Sequence, residues 1–202
     1  MTPNRGRGDA RLPWLKVVVG PLLLVALGCG DTCCGPGPEP PDVLAPDEAV
    51  QLFAGSYIAR YPTTLEAGDD GTVMAVEACP IAGQVRVTGR LSETSMGDTL
   101  RVEVDITLAP AGCQFSEGGH PFTVDGHPGV RSHAVTRAYP GIEKRSIEGT
   151  ITGGLDWQLE DRSGFCEIEL EITQDLSGPE WSEGLSGTLC GHAWEFAAGP
   201  GS

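Results

Sequence analysis

From Ile147 to Glu160 the odd positions read Ile, Gly, Ile, Gly, Leu, Trp, Leu, and the even positions read Glu, Thr, Thr, Gly, Asp, Gln, Glu. A period of two puts the first set on one face of an extended strand and the second on the other. Asp161-Arg162-Ser163-Gly164 then reverses the chain, and Cys166, Ile168, Leu170 and Ile172 alternate with Glu167, Glu169 and Glu171. A four-residue turn sets Leu159 opposite Cys166, Trp157 opposite Ile168 and Leu155 opposite Leu170, so both apolar sets share a face. Slipping that register by one residue would carry Glu169 into the core, which makes an antiparallel hairpin with one buried face the expected unit.

The same period recurs upstream. Leu100, Val102, Val104, Ile106 and Leu108 alternate with Arg101, Glu103, Asp105 and Thr107, and Val85, Val87, Gly89 and Leu91 alternate with Arg86, Thr88 and Arg90. With residues 92–99 as the turn, Leu91 faces Leu100, Gly89 faces Val102 and Val87 faces Val104. Weaker strands are expected over 56–61, 72–77, 122–125 and 130–137. A last one spans 185–196, with a bulge near Gly191 reconciling Leu185, Gly187 and Leu189 with Trp194 and Phe196. A short helix begins at Pro46, with Asp47 and Glu48 at its positive end, Val50, Phe53 and Ala54 as its apolar side, and Gly55 as its stop. These elements predict one antiparallel all-β domain over 46–198, a barrel or sandwich of about eight or nine strands with one short N-terminal helix. Glycines at the inward positions 89, 149, 153 and 187 lean towards a barrel, either relieving curvature or leaving room for a ligand.

Ahead of the domain, Arg5, Arg7, Arg11 and Lys16 precede an apolar run from Val17 to Leu27. The run suits a secretory signal and is too short to span a membrane. Its closing residues, Val25-Ala26-Leu27-Gly28-Cys29, resemble a bacterial lipobox, with Ala26 where leucine is more usual. The resemblance covers residues 1–29 only. It implies a signal peptide over 1–28, acylation at Cys29, and a membrane attachment made by the acyl chains. Gly30 after the acylated cysteine resembles lipoproteins sent to the outer membrane. Residues 29–45, from the acylated cysteine through a Gly/Pro-rich stretch, read as a tether.

Removing residues 1–28 leaves nine basic against 27 acidic residues, more acidic than the −15 of the whole chain. Such a field repels phosphate backbones and excludes nucleic acid as a partner. With Cys29 committed to lipid, six of seven cysteines remain, and none has C-x-x-C spacing. In an exported protein they are expected as disulfides, and within the domain the pairing Cys79–Cys113 and Cys166–Cys190 is preferred among three connectivities. Cys33 and Cys34 are left undecided.

Candidate chemistry is sparse. His120, His127 and His133 lie beside Asp125, and a hairpin bringing 120 and 133 together would offer ligands to zinc or copper. Two of the three precede proline in glycine-rich turns, so exposed turn residues are the preferred reading and no metal or other cofactor is assigned. Asp69-Asp70-Gly71 reads as a turn, and Glu167, Glu169 and Glu171 as a solvated strand face. No nucleophile elbow or phosphate-cradling loop occurs, so no catalytic residue is assigned and the chain is not read as an enzyme. Gly55-Ser56-Tyr57 resembles the Gly-x-aromatic opening of lipocalin-type barrels over three residues. The expectation is a lipid-anchored lipoprotein of the bacterial cell envelope, its disulfide-stapled β domain binding or structural, with an envelope protein as possible partner. The alternative is a lipocalin-like carrier of a small apolar ligand.

Overall fold

A computed structural model describes residues 43–58, 66–139, 144–178 and 181–199. The signal region, Cys29, Cys33, Cys34 and the tether up to residue 42 lie outside the described residues.

Eight strands form one antiparallel sheet in strict sequence order. They are β1 Thr72–Ala78, β2 Ala82–Met96, β3 Thr99–Glu117, β4 His120–Tyr139, β5 Lys144–Leu159, β6 Arg162–Asp175, β7 Ser182–Leu189 and β8 His192–Ala198, preceded by helix α1, Pro46–Phe53. The alternation read from the sequence sets the faces. Gly89, Ile106, Ser132, Ile151, Leu170, Gly187 and Trp194 stand in one line across seven strands. Ile151, Leu155, Ile168 and Leu170 are buried, and Glu167, Glu169 and Glu171 face solvent.

The registers differ from expectation, always by an even number. Leu155, not Leu159, faces Cys166, Gly153 faces Ile168 and Ile151 faces Leu170. Likewise Leu91 faces Val104, Gly89 faces Ile106 and Val87 faces Leu108. In both hairpins the turn is two residues long, Glu160-Asp161 and Gly97-Asp98, where longer turns were expected. A tight turn adds ladder hydrogen bonds that a wide loop would leave to water, and a shift of four leaves every side chain on its face. The expected single strand over 185–196 is two strands. The parity change at Gly191 comes from a two-residue turn, not a bulge, with Cys190 and Gly191 at φ 50° and 83°. Positive φ at both central residues is the hairpin geometry that matches strand twist. The strand expected over 72–77 is β1, and those over 122–125 and 130–137 are one strand, β4. The strand expected over 56–61 is absent through 58, because α1 widens into a π-helical turn, Ala54–Ile58; residues 59–61 lie outside the described residues.

Gly55 therefore does not stop the helix. A Cβ there would lie 2.2 Å from the Phe115 ring, so glycine lets the turn pack against β3. The buried side of α1 is Ala49, Leu52 and Phe53, with Val50 partly buried against the core, while Ala54 belongs to the π-helical turn.

No ladder joins β8 to β1 among the described residues, so the sheet is not closed into a barrel. One core cluster nevertheless draws on β1 to β7 and α1, with Trp194 of β8 packed against it. The inward glycines serve strand approach. At Gly153 and Gly187, with φ 141° and 142°, an added Cβ would sit 2.1 Å from a backbone carbonyl oxygen of the neighbouring strand. They let strands coil closely.

α1 covers one end of this core. The Arg162 guanidinium forks onto Glu48, with Nη1 donating to Oε1 at 2.9 Å and Nη2 to Oε2 at 3.0 Å, while Nη2 also donates to the Val43 carbonyl at 3.0 Å. His192 Nε2 lies 2.8 Å from the Leu44 carbonyl oxygen, and Phe53 meets Trp194 edge-on at 6.0 Å. Both disulfides belong to this end. Cys79–Cys113, Cα atoms 5.5 Å apart, ties the β1–β2 connection to β3, and Cys166–Cys190, 4.2 Å apart, ties the β7–β8 turn to β6. Each clamps an outermost hairpin to the strand inside it, where an unclosed sheet is most exposed to fraying.

Candidate functional site

The ladders on both sides of β4 break over one stretch. On β4, Gly126 pairs with Leu155 and Val130 with Gly153, so residues 127 to 129 stand opposite Gly154 alone. The β3–β4 register breaks over the same stretch, between Leu108 and Cys113. Such a bulge re-aims side chains. Here it carries His127 out over β5 and β6.

There the His127 Nδ1 lies 3.1 Å from Asp156 Oδ2. A carboxylate only accepts, so in this contact Nδ1 carries a proton and donates it. The imidazole also meets the Phe165 ring edge-on, centroids 5.3 Å apart. Phe165 lies over Gly154: a Cβ at that glycine would sit 2.5 Å from two ring carbons. Although it packs against both the strand and the histidine, Phe165 is 50% exposed, on the outward face of the sheet. Asp125 stands directly opposite Asp156 in the ladder. Like charges so placed repel. Each is given its own support, since Asp125 Oδ1 accepts the Gly112 N–H at 2.7 Å and Asp156 holds the histidine.

The residues singled out in the sequence are distributed differently. His120, His127 and His133 lie along one strand, β4, so no hairpin brings 120 and 133 together. Thirteen residues of extended chain separate them, on the order of 40 Å. Among the described residues no group of three metal-type side chains converges. His133 instead borders a shallow recess of about 220 Å³ with Arg131, Thr150 and Thr152, its Nε2 4.0 Å from Glu103 Oε1. Beside it, Arg131 forks onto Asp105 at 2.8 and 2.6 Å, and this bidentate pair holds the Asp105 carboxyl below its ordinary range.

Asp70 closes a turn, accepting from the Thr72 backbone N–H at 2.9 Å and hydroxyl at 2.8 Å, bonds that lower its pKa. Glu169 and Glu171 face Thr152 and Thr150 on β5, and Thr188 and Ser186 on β7, with no cation opposite. They form a solvated row. Sequence reasoning missed Phe165, although a signal existed: it is a lone large apolar residue at an outward position on a strand otherwise lined by glutamates.

No family model matches the chain, and no curated protein or solved structure matches it either. Function rests on the residues themselves.

Proposed function

We propose that the protein is a lipid-anchored lipoprotein of the bacterial cell envelope, sorted to the outer membrane, whose β domain binds a partner through its outer surface. The anchor rests on the lipobox-like ending at Cys29. No helix among the described residues is long and apolar enough to cross a membrane, so the acyl chains would provide the attachment.

The observation that carries surface binding, as opposed to internal carriage, is the seating of the inward glycines. A Cβ at Gly149 would meet the His133 carbonyl oxygen at 2.5 Å, and at Gly153 and Gly187 the clearance is smaller still. The glycines that suggested a ligand cavity are spent on strand approach, which removes the main support of the lipocalin-like alternative.

Two measurements test this. The Cys29→Ser variant should lose acylation and leave the membrane fraction; membrane association that survives the change would overturn the anchor. Native mass spectrometry of the oxidised protein should show no retained organic molecule, and a stoichiometric excess mass would restore the carrier.

A further inference from the structure

We propose that Phe165, Asp125, Asp156 and His127 form a binding platform for a neutral, hydroxyl-rich glycan. The proposal rests on the surface-binding reading and gives it a ligand class.

Three observations converge. First, an exposed aromatic ring normally costs free energy in water and lacks orientation. Phe165 is half exposed, yet its ring is held against Gly154, where there is no side chain, and against His127. A ring positioned in this way, with half its surface open, can offer its negative π face to the axial C–H groups of a sugar. Second, the surrounding polar groups are mostly acceptors. Asp125 and Asp156 stand side by side with separate supports, and the His127 ring lies against Asp156 and Phe165. The hydroxyls of a sugar ring supply matching donors. Third, the charge decides which sugars fit. Two carboxylates in the site and a strongly acidic chain repel phosphorylated or uronic glycans, leaving uncharged ones.

The arrangement also has a cost that packing alone does not explain. Two opposed carboxylates destabilise a ladder, and a solvent-facing phenylalanine gains little from folding. Both features sit over a bulge that breaks two ladders. A ligand that donates to the carboxylates and covers the ring relieves all of these at once.

The test uses the full chain carrying Cys29→Ser, isotope-labelled and purified oxidised, titrated with cellohexaose and with the N-acetylglucosamine hexamer while amide shifts are followed. A single platform predicts saturable shifts confined to residues near 112, 125–129, 154–156 and 165, with Kd on the order of 1 mM. Phe165→Ala should weaken binding at least about tenfold, and Phe165→Trp should retain it, since only ring area matters. Asp125→Asn and Asp156→Asn should each weaken it several-fold. Absence of saturation by about 10 mM for both sugars, or unchanged affinity in Phe165→Ala, would overturn the proposal. Because Phe165 is on the surface, that variant keeps the fold, verified by unchanged shifts in β2 and β7. Failure here would leave surface binding of another ligand standing, whereas an internally retained molecule would remove both readings.

Discussion

The two ends of the sheet are built differently. At the end covered by α1, both disulfides, the Arg162–Glu48 fork and the His192–Leu44 contact converge on buried Leu155, Trp157 and Leu159. At the opposite end the inward line reads Val102, Thr136, Ile147, Gln174, Glu183 and Ala198, mixed in polarity and half-buried. There Gln174 donates to Glu183 in place of apolar packing. Stability is thus concentrated at one end, and the Phe165 cluster lies on the outer surface of that end, next in sequence to Cys166. A platform that must hold its side chains still belongs on the part of the sheet least free to open.

The contrast can be broken in four ways. The largest effect is expected from Ile168→Glu, which places an unpaired charge where the native side chain is 0% exposed. It should cost more than about 4 kcal/mol and abolish a cooperative melt; a native-like transition would show the face assignment to be reversed. Replacing Cys166 and Cys190 with alanine should cost about 3 kcal/mol. Hydrogen exchange should then accelerate in β7 and β8 first; uniform acceleration over all eight strands would mean that the bridge is not a local clamp.

Arg162→Ala should cost about 2 kcal/mol, because the largely buried Glu48 loses its partner. Acid tests the same pair. The hydrogen bonds from Arg162 hold the Glu48 carboxyl below its ordinary range, so the folded state binds its proton less readily than the unfolded chain does. That stability is present above the ordinary carboxylate pKa of about 4.3 and is lost as pH falls through the lower folded value. In Arg162→Ala the acid-dependent loss should shrink; an unchanged pH profile would assign it elsewhere. The smallest effect is expected from Ile147→Ala at the open end, about 1 kcal/mol, against about 3 kcal/mol for the fully buried Leu155→Ala. Equal losses measured by denaturant melts would erase the distinction between the ends.

Much of the fold was legible because side-chain parity is written in the chain. The inward sets on β2, β3, β5 and β6, the antiparallel class and both disulfide pairings are those expected. Register was not legible, since alternation constrains a pairing only to even shifts, and Leu159 or Leu155 opposite Cys166 satisfies it equally. Turn geometry made that choice. The candidate site was half legible: His127 and Asp125 were noticed, but Asp156 and Phe165 are brought to them only across strands, with a two-residue excess on β4 placing His127.

By itself, then, the sequence determined which side chains face inward, which cysteines could meet and how acidic the surface is, because these follow from local period and composition. Tertiary structure alone decided the two-residue turns, the open edge between β1 and β8, and the bulge that sets His127 over Phe165. Those depend on competition among ladder hydrogen bonds, strand coiling and packing against α1, interactions between residues far apart in the chain.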